Sequence, residues 1–69
     1  MNAAMIGQTV RERRRALDLT QDALADLAGC STRFVRSLEH GKATLRIDKL
    51  IDLLDVLGLE LRVERRSSP

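Results

Sequence analysis

Apolar residues recur along this chain with two different periods. Ile6, Val10 and Leu17 fall on one face of a 3.6-residue helix, with Arg14 on the same stripe. That spacing predicts a first helix from about Met5 to Leu17, with Arg11, Glu12 and Arg15 facing away from the stripe. Asp18 and Leu19 break the pattern. Thr20 follows as an N-cap, because its hydroxyl can accept from the free amides of the next turn. Asp22 in that turn suits the helix dipole. Leu24, Leu27 and Ala28 give the inner face of a second helix, and Gly29 ends it. Ser31 caps a third helix, with Val35 and Leu38 inward, which runs to Leu38 or His40 before Gly41 stops it. After the linker Lys42-Ala43-Thr44, the residues Ile47, Leu50, Ile51, Leu53, Leu54 and Leu57 define a fourth helix from about Arg46 to Leu57. Its broad stripe is expected to form the floor of the core.

Past Gly58 the period drops to two. Leu59, Leu61 and Val63 alternate with Glu60, Arg62 and Glu64, the pattern of a half-buried strand. A lone strand cannot satisfy its own backbone groups. Pairing with the same strand of a second copy, antiparallel about a two-fold axis, is the simplest remedy. The expected architecture is therefore all-α: a four-helix helix-turn-helix domain over residues 1–58 with one C-terminal β-strand over 59–64. That strand pairs across a homodimer through Leu59, Leu61 and Val63, and parts of the fourth helix join the interface. A flexible tail covers 65–69.

Composition narrows the chemistry. A chain of 69 residues holds one small domain, which gains stability from association. One Cys and one His supply neither an intramolecular disulfide nor a zinc site, so no metal and no cofactor are expected. Cys30 reads as a small buried hydrophobe. No paired-carboxylate, Ser/His/Asp or phosphate-loop arrangement is present, so the chain is not expected to be an enzyme. The N-terminus is too short and polar for a signal peptide, and no apolar run approaches a membrane span. The expected location is the cytoplasm. The formal charge of +2 is mild, but Arg11, Arg13, Arg14 and Arg15 cluster in the first helix, and Arg33 and Arg36 lie in the third.

The stretch TQDALADLAGCSTRFVRSLEHG, Thr20 to Gly41, brings these signals together. Small Ala25 and a stop at Gly29 let two short helices cross closely at a steep angle. The third helix then presents Ser31, Thr32, Arg33, Arg36 and Ser37 outward, with no acid until Glu39. Such a face fits the major groove of double-stranded DNA, N-terminal end first. Arg33 can fork onto guanine O6 and N7, and Thr32 offers a hydroxyl or a methyl. Ser31 caps the helix and can touch phosphate. Ser37 shares a face with Arg33, while Arg36, His40 and Lys42 suit phosphate contacts; for His40 a plain solvated role is equally open. Phe34 sits at the edge of the apolar face, either flanking the core or touching a thymine methyl. Two such helices on a dimer would read an inverted repeat.

The segment LDLTQDALADLAGCSTRFVRSLEHGKATL resembles the XRE-type, phage-repressor-like helix-turn-helix family, and the likeness spans about Ile6 to Leu57. Thr-Gln at the start of the second helix, Leu-Ala within it and Leu-Glu-His-Gly-Lys after the third carry it. Cys30 stands where Val or Ile is usual, and Asp18 where Gly is common. The resemblance implies that Gln21 bonds a backbone phosphate and braces the third helix, and that Arg14 and Glu39 form a buried ion pair. GKATLRIDKLIDLLDVLGLELRVERR is further similar to the HipB-like subgroup of antitoxin repressors, which implies autoregulation and a HipA-like kinase toxin as partner. A stand-alone regulator without a toxin, and a protein-interaction module on the same fold, are the alternatives.

Overall fold

A computed structural model of the chain describes residues 1–66. Four helices follow one another: α1 (Ala3–Ala16), α2 (Gln21–Ala28), α3 (Thr32–Glu39) and α4 (Ile47–Val56). Local chemistry sets most of their ends. Asn2 accepts from the Met5 amide at 2.9 Å, so α1 begins earlier than its apolar stripe suggests. Thr20 caps α2 by accepting from the Ala23 amide at 3.0 Å, and Ser31 caps α3 by accepting from the Phe34 amide at 3.0 Å. Gly29 ends α2 with φ +70°, a left-handed conformation that costs glycine nothing. The amides of Gly29 and Cys30 then close back on the carbonyls of Asp26 and Ala25. Asp18 also adopts a left-handed backbone, with φ 57°. This accounts for the preference for glycine at that place in the resembling family, since a Cβ is disfavoured there.

The packing is tight where the helices cross. α1 and α2 both lie on α3, and α2 also lies on α4. Val10, Leu24, Val35, Leu38, Leu53 and Leu57 are fully enclosed between them. Each such aliphatic side chain contributes about 1.5–3 kcal/mol by leaving water. Gly7 lets α1 approach α3: a Cβ at Gly7 would stand 2.3 Å from the Leu38 carbonyl oxygen. Arg13 links the first and last helices. Its Nε donates to the Leu57 carbonyl at 2.8 Å, one of the carbonyls that the end of α4 leaves without an intrahelical partner.

Several expectations need correction. Leu27 is 63% exposed, and Ala25 is buried in its place. Residues advance by about 100° in a helix, so Leu24, Ala28 and Ala25 span one arc while Leu27 lies about 60° outside it. Ile47 and Ile51 likewise flank the buried row Leu50, Leu53, Leu54 and Leu57, and both are exposed. Cys30 is partly buried against the core, and burial pushes its thiol above the usual value against the opposing pull of Lys49. Among the described residues there is no β-strand. Residues 59–66 have no regular secondary structure. A strand exists only through its ladder, and one chain offers this segment no neighbour. Leu59 and Leu61 instead rest partly buried against the core, while Val63 is 97% exposed. The tail expected to be flexible begins at Arg65 and Arg66, which are exposed; residues 67–69 lie outside the described residues.

Candidate nucleic-acid interface

α3 forms a ridge between two open grooves, and the polar residues singled out in the sequence divide between them. The first groove, about 540 Å³, lies between α1, the start of α2 and α3. Gln21, Asp22, Thr32, Arg36 and His40 line it, together with Arg11 and Arg15 from α1. The second lies between α3 and the approach to α4. Ser31, Arg33, Phe34, Ser37 and Lys42 line it, with Arg46 and Lys49.

The floor of the first groove is a buried ion pair. Arg14 Nε and Nη2 donate to the two oxygens of Glu39 at 2.6 and 3.0 Å. The two side chains are only 10% and 3% exposed. Arg14 Nη1 also donates to the Leu19 carbonyl at 2.8 Å, and Gln21 Nε2 donates to Glu39 at 3.3 Å. Burial pushes the Glu39 carboxyl up, but the hydrogen bonds from Arg14 and Gln21, with the positive charge of Arg14 and Arg11, outweigh it and hold the group below the usual range. The pair joins α1 to the end of α3, and Gln21 ties the start of α2 to the same carboxylate. The angle of α3 is thus fixed by a fully satisfied network, since no buried side-chain polar atom among the described residues lacks a partner.

The exposed chemistry sits on top of this scaffold. Arg33 and Arg36 are both exposed, and Ser37 is half-buried beside them. Thr32 is half-buried, and its hydroxyl donates to Asp22 at 2.6 Å. Ser31 is occupied as the cap. Phe34 packs partly buried against the core while bordering the second groove. His40 Nδ1 donates to the Arg36 carbonyl at 2.7 Å, because a carbonyl can only accept. Lys42 is exposed at the far end. Arg46 is held by Asp48 at 2.5 Å, so its charge is locally offset.

Sequence reasoning missed Arg11, Arg15 and Lys49 as members of this surface. The i, i+4 spacing of Arg11 and Arg15 shows that they share a face. Which way that face points depends on how α1 crosses α3, and the spacing alone does not give it.

Residues 10–63, from mid-α1 to beyond the end of α4, match the model of the helix-turn-helix family. The chain belongs to that family. This helix-turn-helix protein is 42% identical over 60 residues to an uncharacterized HTH-type transcriptional regulator of Sinorhizobium fredii, covering 87% of this chain and 79% of that one. It is 34% identical over 58 residues to an uncharacterized transcriptional regulator in the ATPase CF(0) region of Rhodospirillum rubrum. That match covers 84% of this chain and 54% of the longer relative, so the helix-turn-helix protein spans about half of it. Its fold is similar to the restriction-modification controller protein C.AhdI from Aeromonas hydrophila, with a TM-score of 0.76 and 31% identity over 84% of this chain and 88% of that one. It is a helix-turn-helix transcriptional regulator of the XRE type. Among its described residues no helix is long and apolar enough to cross a membrane.

Proposed function

We propose that this regulator binds an inverted-repeat operator as a homodimer and represses transcription. The observation that carries the reading is the ridge of α3. It exposes Arg33 and Arg36 and is flanked on both sides by basic grooves. A ridge of this kind enters the major groove while the flanking cations meet the phosphates of either strand. Arg33 reads a base edge. Arg36, His40 and Lys42, joined by Arg11, Arg15 and Lys49, hold phosphates.

The dimer arises when Leu59, Leu61 and Val63 pair with the same segment of a second copy. Val63 exposed at 97%, and backbone groups beyond Leu59 that make no backbone hydrogen bond among the described residues, both support this. A two-fold axis then sets the two α3 helices about 34 Å apart, one turn of DNA. The antitoxin role, with a HipA-like kinase as partner, rests on the resemblance of Gly41–Arg66 alone. A stand-alone regulator fits the same residues about as well, and the similar C.AhdI is a restriction-modification controller protein. A kinase-like coding sequence beside this gene separates the two.

A mobility shift on the region upstream of the gene tests the main reading. Wild type should retard it, with affinity falling steeply as salt rises. Arg33→Ala should bind with relaxed preference at one position per half-site; unchanged preference removes the base-contact role. Truncation after Gly58 should give monomers by light scattering, and a truncated protein that stays dimeric sinks the strand-pairing idea.

A further inference from the structure

Among the described residues, Asp22 and Glu39 are the carboxylates that line the groove beside α3, and of the two Asp22 is the exposed one. It stands in the first turn of α2, ten positions before its partner in sequence, and accepts the hydroxyl proton of Thr32 at 2.6 Å. Thr32 opens α3, the end that meets base edges in this docking mode. A threonine hydroxyl has a single proton and two lone pairs. A carboxylate is a stronger acceptor than any neutral base atom, because charge assistance shortens and strengthens the bond. The Thr32 hydroxyl therefore keeps donating its proton to Asp22 when DNA arrives, and only the lone pairs of its oxygen are left for a base.

We infer that Asp22 is a specificity-determining positioning residue: by holding the Thr32 proton it makes Thr32 an acceptor, which selects an exocyclic amino group on the base opposite it. In the major groove those groups are adenine N6 and cytosine N4, whereas guanine and thymine present O6, N7 and O4 acceptors. At one position of each half-site the strand facing Thr32 thus carries adenine or cytosine. Guanine or thymine there sets oxygen against oxygen. Without Asp22 the hydroxyl can turn and donate, and the discrimination disappears. The inference rests on the DNA-binding reading above.

The test is selection of bound duplexes from a randomised pool by wild type, Thr32→Val, Asp22→Ala and Asp22→Asn, with circular dichroism confirming that each folds. Thr32→Val keeps the shape and removes the oxygen, so the position whose preference it changes is the one Thr32 reads. Wild type should favour adenine or cytosine there by about five- to tenfold, the worth of one hydrogen bond set against an unpaired acceptor. Asp22→Ala should shrink that factor to about twofold or less and leave the other positions alone. Asp22→Asn, a weaker acceptor of the same shape, should fall between, and it carries the test if Asp22→Ala does not fold. The inference is overturned if Thr32→Val alters no position. It is equally overturned if that position favours guanine or thymine in wild type, or if both Asp22 variants retain the full discrimination. A wild-type protein that enriches no sequence at all refutes the DNA-binding reading itself.

Discussion

Replacing Glu39 with alanine should cost this domain a large share of its stability. The carboxylate is 3% exposed and receives three side-chain hydrogen bonds, two from Arg14 and one from Gln21. Its removal leaves the buried guanidinium of Arg14 with the Leu19 carbonyl as its remaining partner. Breaking one side of a buried pair costs about 3–5 kcal/mol, chiefly through the uncompensated charge. A chain of 69 residues has about 3–10 kcal/mol in total. At about 4–8 °C per kcal/mol, the melting temperature should fall by at least about 12 °C. The charge is the cause, so Arg14→Met combined with Glu39→Leu should restore stability to within about 1 kcal/mol of wild type. The chain has no Trp or Tyr, so urea denaturation is followed by circular dichroism. The pair also implies a pH dependence. The folded Glu39 value lies below its unfolded one, so its stabilisation is full above about pH 4.3 and is lost as pH falls through the folded value. Glu39→Gln should remove that part of the acid slope. A Glu39→Ala loss below about 1 kcal/mol, or a double variant as unstable as the single, refutes the reasoning.

Gly7→Ala should destabilise by about 1–3 kcal/mol in a thermal melt, because the new Cβ meets the Leu38 carbonyl, and this outweighs a helix-propensity gain of about 1 kcal/mol. Asp18→Gly should raise stability by up to about 1 kcal/mol, since a left-handed backbone disfavours a Cβ; urea midpoints with unchanged slope check it. Arg11→Ala and Arg15→Ala should each weaken operator binding uniformly across sequences and lower the slope of log K against log salt by about 1.

The helix ends were legible because capping is local. Thr20, Gly29 and Ser31 each act within four residues of themselves, and sequence spacing describes that range well. The edges of the buried faces were less legible. Leu27, Ile47 and Ile51 belong to apolar runs, but whether a run is covered on its left or right side depends on crossing angles that a periodicity does not contain. The same limit hid the direction of Arg11 and Arg15. Arg14 was different, because a charge on an apolar stripe advertises a partner, and the family likeness supplied Glu39. The bond between Asp22 and Thr32 spans the turn between two helices and had no signature in either. The alternation at Leu59–Val63 is real, yet a strand needs a neighbour, and a single chain gives this segment none among the described residues.

The bond from Arg13 to the Leu57 carbonyl bears on how the molecule opens. The last turn of a terminal helix is ordinarily the first part to fray, and its amides exchange with solvent long before the core does. Here that turn is latched to the first helix, and the Leu59 amide is tied to Leu54 at 2.9 Å. The two ends of the domain should therefore open together as one cooperative unit. In native-state hydrogen exchange the amides of Leu57 and Leu59 should open with nearly the free energy of Val10, and Arg13→Ala should release them selectively while Val10 stays protected.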